Sequence, residues 1–320
     1  MSILDMASNR IASLVPRNKL GYTGRARRLL RSGERTGRAL VNRGLYPRAA
    51  LVRTYWWERE PNFGDLLTPL LLPDYGVMPL LTPAPQADLI GVGSLIHQLP
   101  ADYSGVLWGT GLIHDEPTSL PAAQTLAVRG ELTLDRLGSP KVRALGDPGL
   151  LLAHKVRRTA PTHDIGVVPH FIHGDEPHFA RLISGHPIPV KVVDVRRPPV
   201  AVAQAIASCR AIVTSSLHGL IVADALGIPA IWVRSSAALF GGDFKFRDHE
   251  TVAKPGRIRG HVLADLESLD EAAALATAAD HVSIARAQDG LARAARDIPS
   301  LVPHSTATPL TLPLHTLAKA

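Results

Sequence analysis

From about residue 50 onward, short apolar runs alternate with stretches whose apolar positions recur at helical spacing. LVRTYWW (51–57), ADLIGVG (87–93), GVLWGTG (105–111), TLAVRG (125–130) and KVRALGD (141–147) read as strands. LLTPLLL, ELTLDRLG and PGLLLAH, which lie between or after them, read as helical. Strands that alternate with helices imply a mostly parallel, doubly wound sheet.

The pattern breaks at KVRRTAPTH (155–163), a polar, proline-containing stretch without apolar periodicity. It restarts with DIGVVPH (164–170), VKVVDV (190–195), AIVTSS (211–216) and PAIWV (229–233). VAVAQAIASC and LHGLIVADALG supply helices, the second stopped by Gly227 and Pro229. SLDE (268–271) matches a capping box and is expected to open an alanine-rich helix running to about Arg296. The expected organisation is a basic arm over 1–49, an α/β domain over 50–155 and a second α/β domain over 162–298 that includes the long helix. An irregular tail is expected over 299–320. The expected fold class is thus α/β, two Rossmann-like domains facing a cleft.

The formal charge of +7 does not describe the globular body. Residues 1–50 hold 11 of the 35 basic residues and only Asp5 and Glu34 as acids, so the remainder is close to neutral. The arm, with RARRLLR at 25–31, reads either as a solvated extension or as a segment that attracts an anionic membrane surface, nucleic acid or an acidic polymer. It lacks the interleaved aromatics of a nucleic-acid stacking surface, and no nucleic-acid partner is expected. No run reaches the roughly 18 apolar residues of a membrane span, and no secretory h-region stands at the N-terminus. Cys209 is the single cysteine, which excludes an intrachain disulfide and a cysteine-rich zinc site. A cytoplasmic location is expected, at the inner face of the membrane if the arm binds there.

In open parallel sheets, ligands bind at the carboxyl ends of the strands. Asn62, Phe63, Gly64 and Asp65 follow the first strand, where Asp65 suits either a helix cap or catalysis. Arg129 stands at a helix start, a position the helix dipole disfavours for a cation, which suggests an anionic ligand. Asp147 before Pro148 reads as ordinary capping. His170 and His173 follow DIGVV. Ser215, Ser216 and His218 converge at another helix start, a combination that suits phosphate or carboxylate. A histidine with a pKa near 6.5 can exchange protons at neutral pH. No metal-binding motif, P-loop or GxSxG is present, and GVGSLI lacks the third glycine of a dinucleotide fingerprint.

These segments resemble the polysaccharide pyruvyltransferases. The resemblance is carried by NFGDLLTPLL (62–71), GVGSLI (91–96), WGTGL (108–112), VRGELTLDRLG (128–138) and LGDPGLLL (145–152) in the first half. IGVVPHFIH (165–173), SSLHGLIVADALGIPAIWV (215–233) and FKFRD (244–248) continue it in the second. The resemblance implies a GT-B-like fold and transfer of pyruvate from phosphoenolpyruvate to sugar hydroxyls, commonly as a cyclic ketal, with release of phosphate. The acceptor would be a sugar in a polysaccharide or its lipid-linked precursor. No cofactor is implied beyond the donor substrate.

The resemblance also suggests site residues. His218 and Arg129 match family positions that handle phosphoenolpyruvate, with Arg129 on its carboxylate or phosphate. Ser215, Ser216 and the helix start would hold phosphate. Ser216 departs from members that carry arginine there; Arg247 or Arg234 would then supply a second cation. His218 is the expected general acid, and His170 a second acid/base candidate. Asp65 is expected to bind or deprotonate the acceptor, beside Asn62. Trp57 or its neighbour Trp56 is a candidate for packing a sugar face. Two other functions fit the same pattern: a GT-B sugar-nucleotide glycosyltransferase, and a catalytically silent carbohydrate- or anion-binding relative.

Overall fold

The computed structural model describes residues 49–303, except 59, 159 and 236–238. The basic arm expected over 1–49 lies outside the described residues but for position 49, as does the tail beyond 303. The first sheet contains β1 (Ala50–Tyr55), β2 (Val77–Leu81), β3 (Leu89–Ile90), β4 (Val106–Thr110), β5 (Gln124–Val128) and β6 (Ala144–Leu145). The second contains β7 (His163–Val168), β8 (Lys191–Val192), β9 (Cys209–Thr214), β10 (Ala230–Arg234) and β11 (Gly260–Val262). The helices are α1 (Leu67–Leu71), α2 (Glu131–Arg136), α3 (Pro177–Ser184), α4 (Pro199–Ala207), α5 (Leu217–Ala225), α6 (Phe244–Ala253), α7 (Leu269–Leu275) and α8 (His281–Leu301).

Every strand pair in both sheets is parallel. The orders are β2-β1-β3-β4-β5-β6 and β8-β7-β9-β10-β11. Each order reverses between its first and third strand, which opens a crevice at the strand ends. Central strands are buried on both faces, as in VLWGT of β4, so they read as continuous apolar runs. The edge strands are different. β2 carries Pro79, which an edge tolerates because one side needs no ladder donor, and β11 is only three residues long. The expected PGLLLAH helix is a 3₁₀ segment, Pro148–Lys155, capped by Asp147.

One apolar cluster joins the two sheets. It runs from Val52, Leu67 and Trp108 through Leu150–Leu152 to Ile212, Leu220 and Ile221. The chain crosses back twice. Helix α6 follows the second sheet's β10 but packs on α2. The long C-terminal helix, assigned by sequence to the second domain, packs instead against the first sheet. There Trp108 Nε1 donates to the Leu291 carbonyl at 3.0 Å, and Gln288 Nε2 donates to that of Leu150 at 3.0 Å.

The capping box does not open that long helix. Ser268 Oγ accepts from the Glu271 N–H at 3.1 Å, but this caps the short α7. Thr277 then exchanges backbone hydrogen bonds with Ala230 of β10, and this pairing interrupts the alanine-rich run. Helix α8 starts afresh, with the Asp280 carboxylate accepting from the Ser283 N–H at 2.8 Å. Among the described residues, no helix is long and apolar enough to cross a membrane.

Candidate active site

The two crevices face one another across a cleft of about 290 Å³. The segments after β1 and β3 supply one wall, including Trp57, Asn62, Asp65 and Ser94. Those after β7 and β9 supply the other, including His170, Ser216 and His218. Lys245 of α6 and Phe240 of the preceding loop complete it.

Asp65 is held by Asn62, whose Nδ2 donates to its Oδ2 at 2.9 Å. Burial raises the Asp65 carboxyl to about 6, although His218, Asn62 and Lys245 all favour the carboxylate. Gly64 lies beneath His218: a Cβ at position 64 would collide with the imidazole. His218 occupies the first turn of α5 and is buried. Its Nε2 lies 3.7 Å from Asp147 Oδ2, beyond hydrogen-bond length, and has no hydrogen-bond partner among the described residues.

Asp147 is fully buried. Burial works to raise its pKa, but His218, the Gly149 N–H and Arg129 outweigh it and hold the carboxyl below its ordinary range. The Gly149 N–H donates to Oδ1 at 2.8 Å. Asp147 therefore caps the 3₁₀ segment, as its sequence context indicates, and also faces the catalytic candidate, which that context does not reveal.

At the start of α5, Ser216 Oγ accepts from the Gly219 N–H at 3.4 Å. Ser215, expected at the phosphate, is fully buried and does not line the cleft. Its Oγ accepts from the His170 N–H at 2.9 Å and lies 2.8 Å from His173 Nδ1. It positions the His170 loop. His170 does line the cleft; burial, reinforced by Lys245, His173 and His218, pushes its pKa down to about 3. It is thus neutral at physiological pH and a weak base, suited to hydrogen bonding rather than to proton transfer.

The arginines expected at the donor are placed elsewhere. Arg129 is completely buried and does not line the cleft. Its Nε donates to Asp248 at 2.8 Å, and its two terminal nitrogens donate to Ser94 Oγ and the Leu112 carbonyl. Asp248 also accepts from the Thr133 N–H and hydroxyl. The group fastens α6 to the first domain and orients Ser94. Arg247 is half-exposed, 3.6 Å from Asp115 and 3.5 Å from Asp243, outside the cleft. Arg234 likewise points to Asp243. Trp57 lines the cleft, whereas Trp56 does not.

Among the described residues that line the cleft, the one lysine or arginine is Lys245, which lies in the FKFRD segment but has no role in the sequence reading. Burial, aided by Arg129 and opposed by Asp65, pushes its ammonium down to about 8. A lysine between two phenylalanines at a helix start was the available signal. Among the described residues, no group of three or more His, Cys, Asp or Glu is placed to hold a metal.

A family described as polysaccharide pyruvyl transferase matches residues 26–236. The chain is 34% identical over 171 residues to "Uncharacterized protein L143" of Acanthamoeba polyphaga mimivirus, spanning 50% of this chain and 58% of that protein. It is 26% identical over 208 residues to "Succinoglycan biosynthesis protein ExoV" of Rhizobium meliloti (strain 1021), spanning 62% and 63% of the two chains. The matched segments thus cover less than two thirds of either relative's length. With the family matched across more than half of its length, this chain belongs to the polysaccharide pyruvyl transferase family.

Proposed function

We propose that the chain transfers a pyruvyl group from phosphoenolpyruvate to two hydroxyls of one sugar, in a polysaccharide or its lipid-linked precursor, within a GT-B-like cleft. The product is a ketal, and phosphate is released. The observation that carries this reading is the meeting of His218, backed by Asp147, with Asp65 across the cleft.

The reaction needs a proton at the methylene carbon, which makes C2 electrophilic. His218 supplies it as general acid, positioned by Asp147. One sugar hydroxyl attacks C2, and its proton passes to Asp65, whose carboxyl near 6 can take and release protons at neutral pH. The C–O bond to phosphate then breaks, and the second hydroxyl closes the ketal. The departing phosphate, far more basic than His170 with its pKa near 3, takes that second proton, and neutral His170 is left to hydrogen-bond the acceptor. Of the two acceptor protons, one is balanced by the new methyl group and the other by hydrogen phosphate. Trp57 and exposed Phe240 offer ring faces to the sugar.

Two features favour this reading over glycosyl transfer from a sugar nucleotide. The cleft lies near the lower end of the roughly 300–1,000 Å³ range of small-molecule sites. Its lining from the second domain contains no carboxylate to hold a ribose among the described residues. The direct test incubates the full chain with 3-¹³C-phosphoenolpyruvate and a panel of methyl hexopyranosides and follows the ketal methyl by NMR. A labelled ketal formed by the wild type and not by His218→Ala supports the reading. Ketal formation at equal rates in both overturns the role of His218.

A further inference from the structure

Lys245 sits in the first turn of α6, 9% exposed, and lines the cleft. It makes no hydrogen bond or ion pair among the described residues; its nearest described partner is the Phe246 ring, 5.8 Å from the ammonium. The groups that act on it electrostatically come from three elements. Arg129 at the end of β5 repels it, Asp65 after β1 attracts it, and neutral His170 after β7 feels its charge. Asp248, one turn along α6, is engaged by Arg129 and Thr133 and is not its partner. A buried ammonium without a partner is costly. One that lines a cleft is placed to receive an anion there.

A second feature of the same cleft points the same way. Ser216 and the N-terminus of α5, nine residues long, present a hydroxyl and the positive end of a helix dipole. We propose that Lys245 is the cation of an anion seat, completed by Ser216 and the start of α5, that takes the phosphate or carboxylate of a small acidic ligand. Its identification as the seat of the pyruvyl donor rests on the function proposed above; the seat itself does not. A lysine acts there as a point charge, without the forked geometry an arginine would impose.

The test titrates inorganic phosphate, and separately phosphoenolpyruvate, into the full wild-type chain, Lys245→Met and Lys245→Arg, by calorimetry and by thermal melting. Lys245→Met should lose at least tenfold in affinity for both anions. Without ligand it should melt no lower than the wild type, because an unpaired buried charge has been removed. Its melting temperature should no longer rise with phosphate. Lys245→Arg should retain part of the binding. A purely packing role predicts the reverse pattern, a less stable apoprotein with unchanged binding, and overturns the proposal. A wild type that binds neither anion also overturns it.

The wild type alone gives a further check that needs no variant. Phosphate affinity should fall as the pH rises through about 8 and above, as the Lys245 ammonium loses its proton. A flat profile over that range contradicts the proposal. If phosphate binds through Lys245 but phosphoenolpyruvate binds no better and yields no product, the seat stands and the pyruvyl-transfer reading falls.

Discussion

The imidazole of His218 rests on Gly64, so that the catalytic candidate of one domain is seated on the backbone of the other. Phe63 reinforces the contact, its ring edge-on to His218 at 6.2 Å and its N–H donating to the Val195 carbonyl at 2.8 Å. Gly64→Ala should force the ring aside. A misplacement of about 1 Å can cost around 10²-fold in rate, so turnover should fall by about that factor. Stability should fall by about 1–3 kcal/mol, the usual effect of overpacking. Steady-state kinetics and denaturant melts check both; wild-type turnover in this variant would show that the seating is not needed.

Asp147 and His218 should act as a unit. Asp147→Asn keeps an acceptor for the Gly149 N–H but removes the charge facing Nε2. Turnover should drop about 10²-fold or more, the usual contribution of a positioned acid or base, with little change in KM. A variant that mainly raised KM would place Asp147 in substrate binding instead.

Asp65 should give the fold a definite pH signature. Its carboxyl, near 6 in the fold, lies above its ordinary value of 3.8. Between these values the native state holds a proton that the unfolded chain has released, so stability falls as pH rises through that window. Asp65→Asn removes the effect. Urea melts should show the variant gaining on the wild type from pH 4 to pH 6, with the gap constant above. An identical gap at pH 4 and pH 7 would contradict the raised pKa.

The Arg129–Asp248 pair should be structural. Both side chains are fully buried, and removing one partner from such a pair typically costs about 3–5 kcal/mol. Asp248→Ala should lose about that much by denaturant melt, and Arg129→Ala a similar amount. If Arg129→Ala melted like the wild type and instead lost donor affinity alone, Arg129 would be a ligand-binding residue after all.

This pair also shows which parts of the molecule were legible in the sequence. Central strands such as β4 and β9 announce themselves as apolar runs because both faces are buried. The start of α5 announces itself through Ser216 and the stop after it. Arg129, however, looks unpaired at a helix start only because its partner lies 119 residues away. Helix α6 looks too polar to be buried for the same reason. Its Asp248 and His249 find Arg129 and Asp224, both distant in sequence, and Glu250 finds Arg259 nine residues on. Lys245 was hidden among these charges, and its lack of a partner becomes visible only once theirs are known. Edge strand β2, VMPLL, is apolar but interrupted by Pro79, and β11, GHV, is too short to read.

The most direct measurement of the central claim is a calorimetric comparison of donors. Phosphoenolpyruvate and, separately, UDP-sugars are titrated into the wild-type chain and into His218→Ala. Saturable binding of phosphoenolpyruvate by the wild type, with no response to UDP-sugars, is the predicted result; His218→Ala should retain binding while losing transfer. Binding of a UDP-sugar without binding of phosphoenolpyruvate would contradict pyruvyl transfer and make the cleft a glycosyltransferase site.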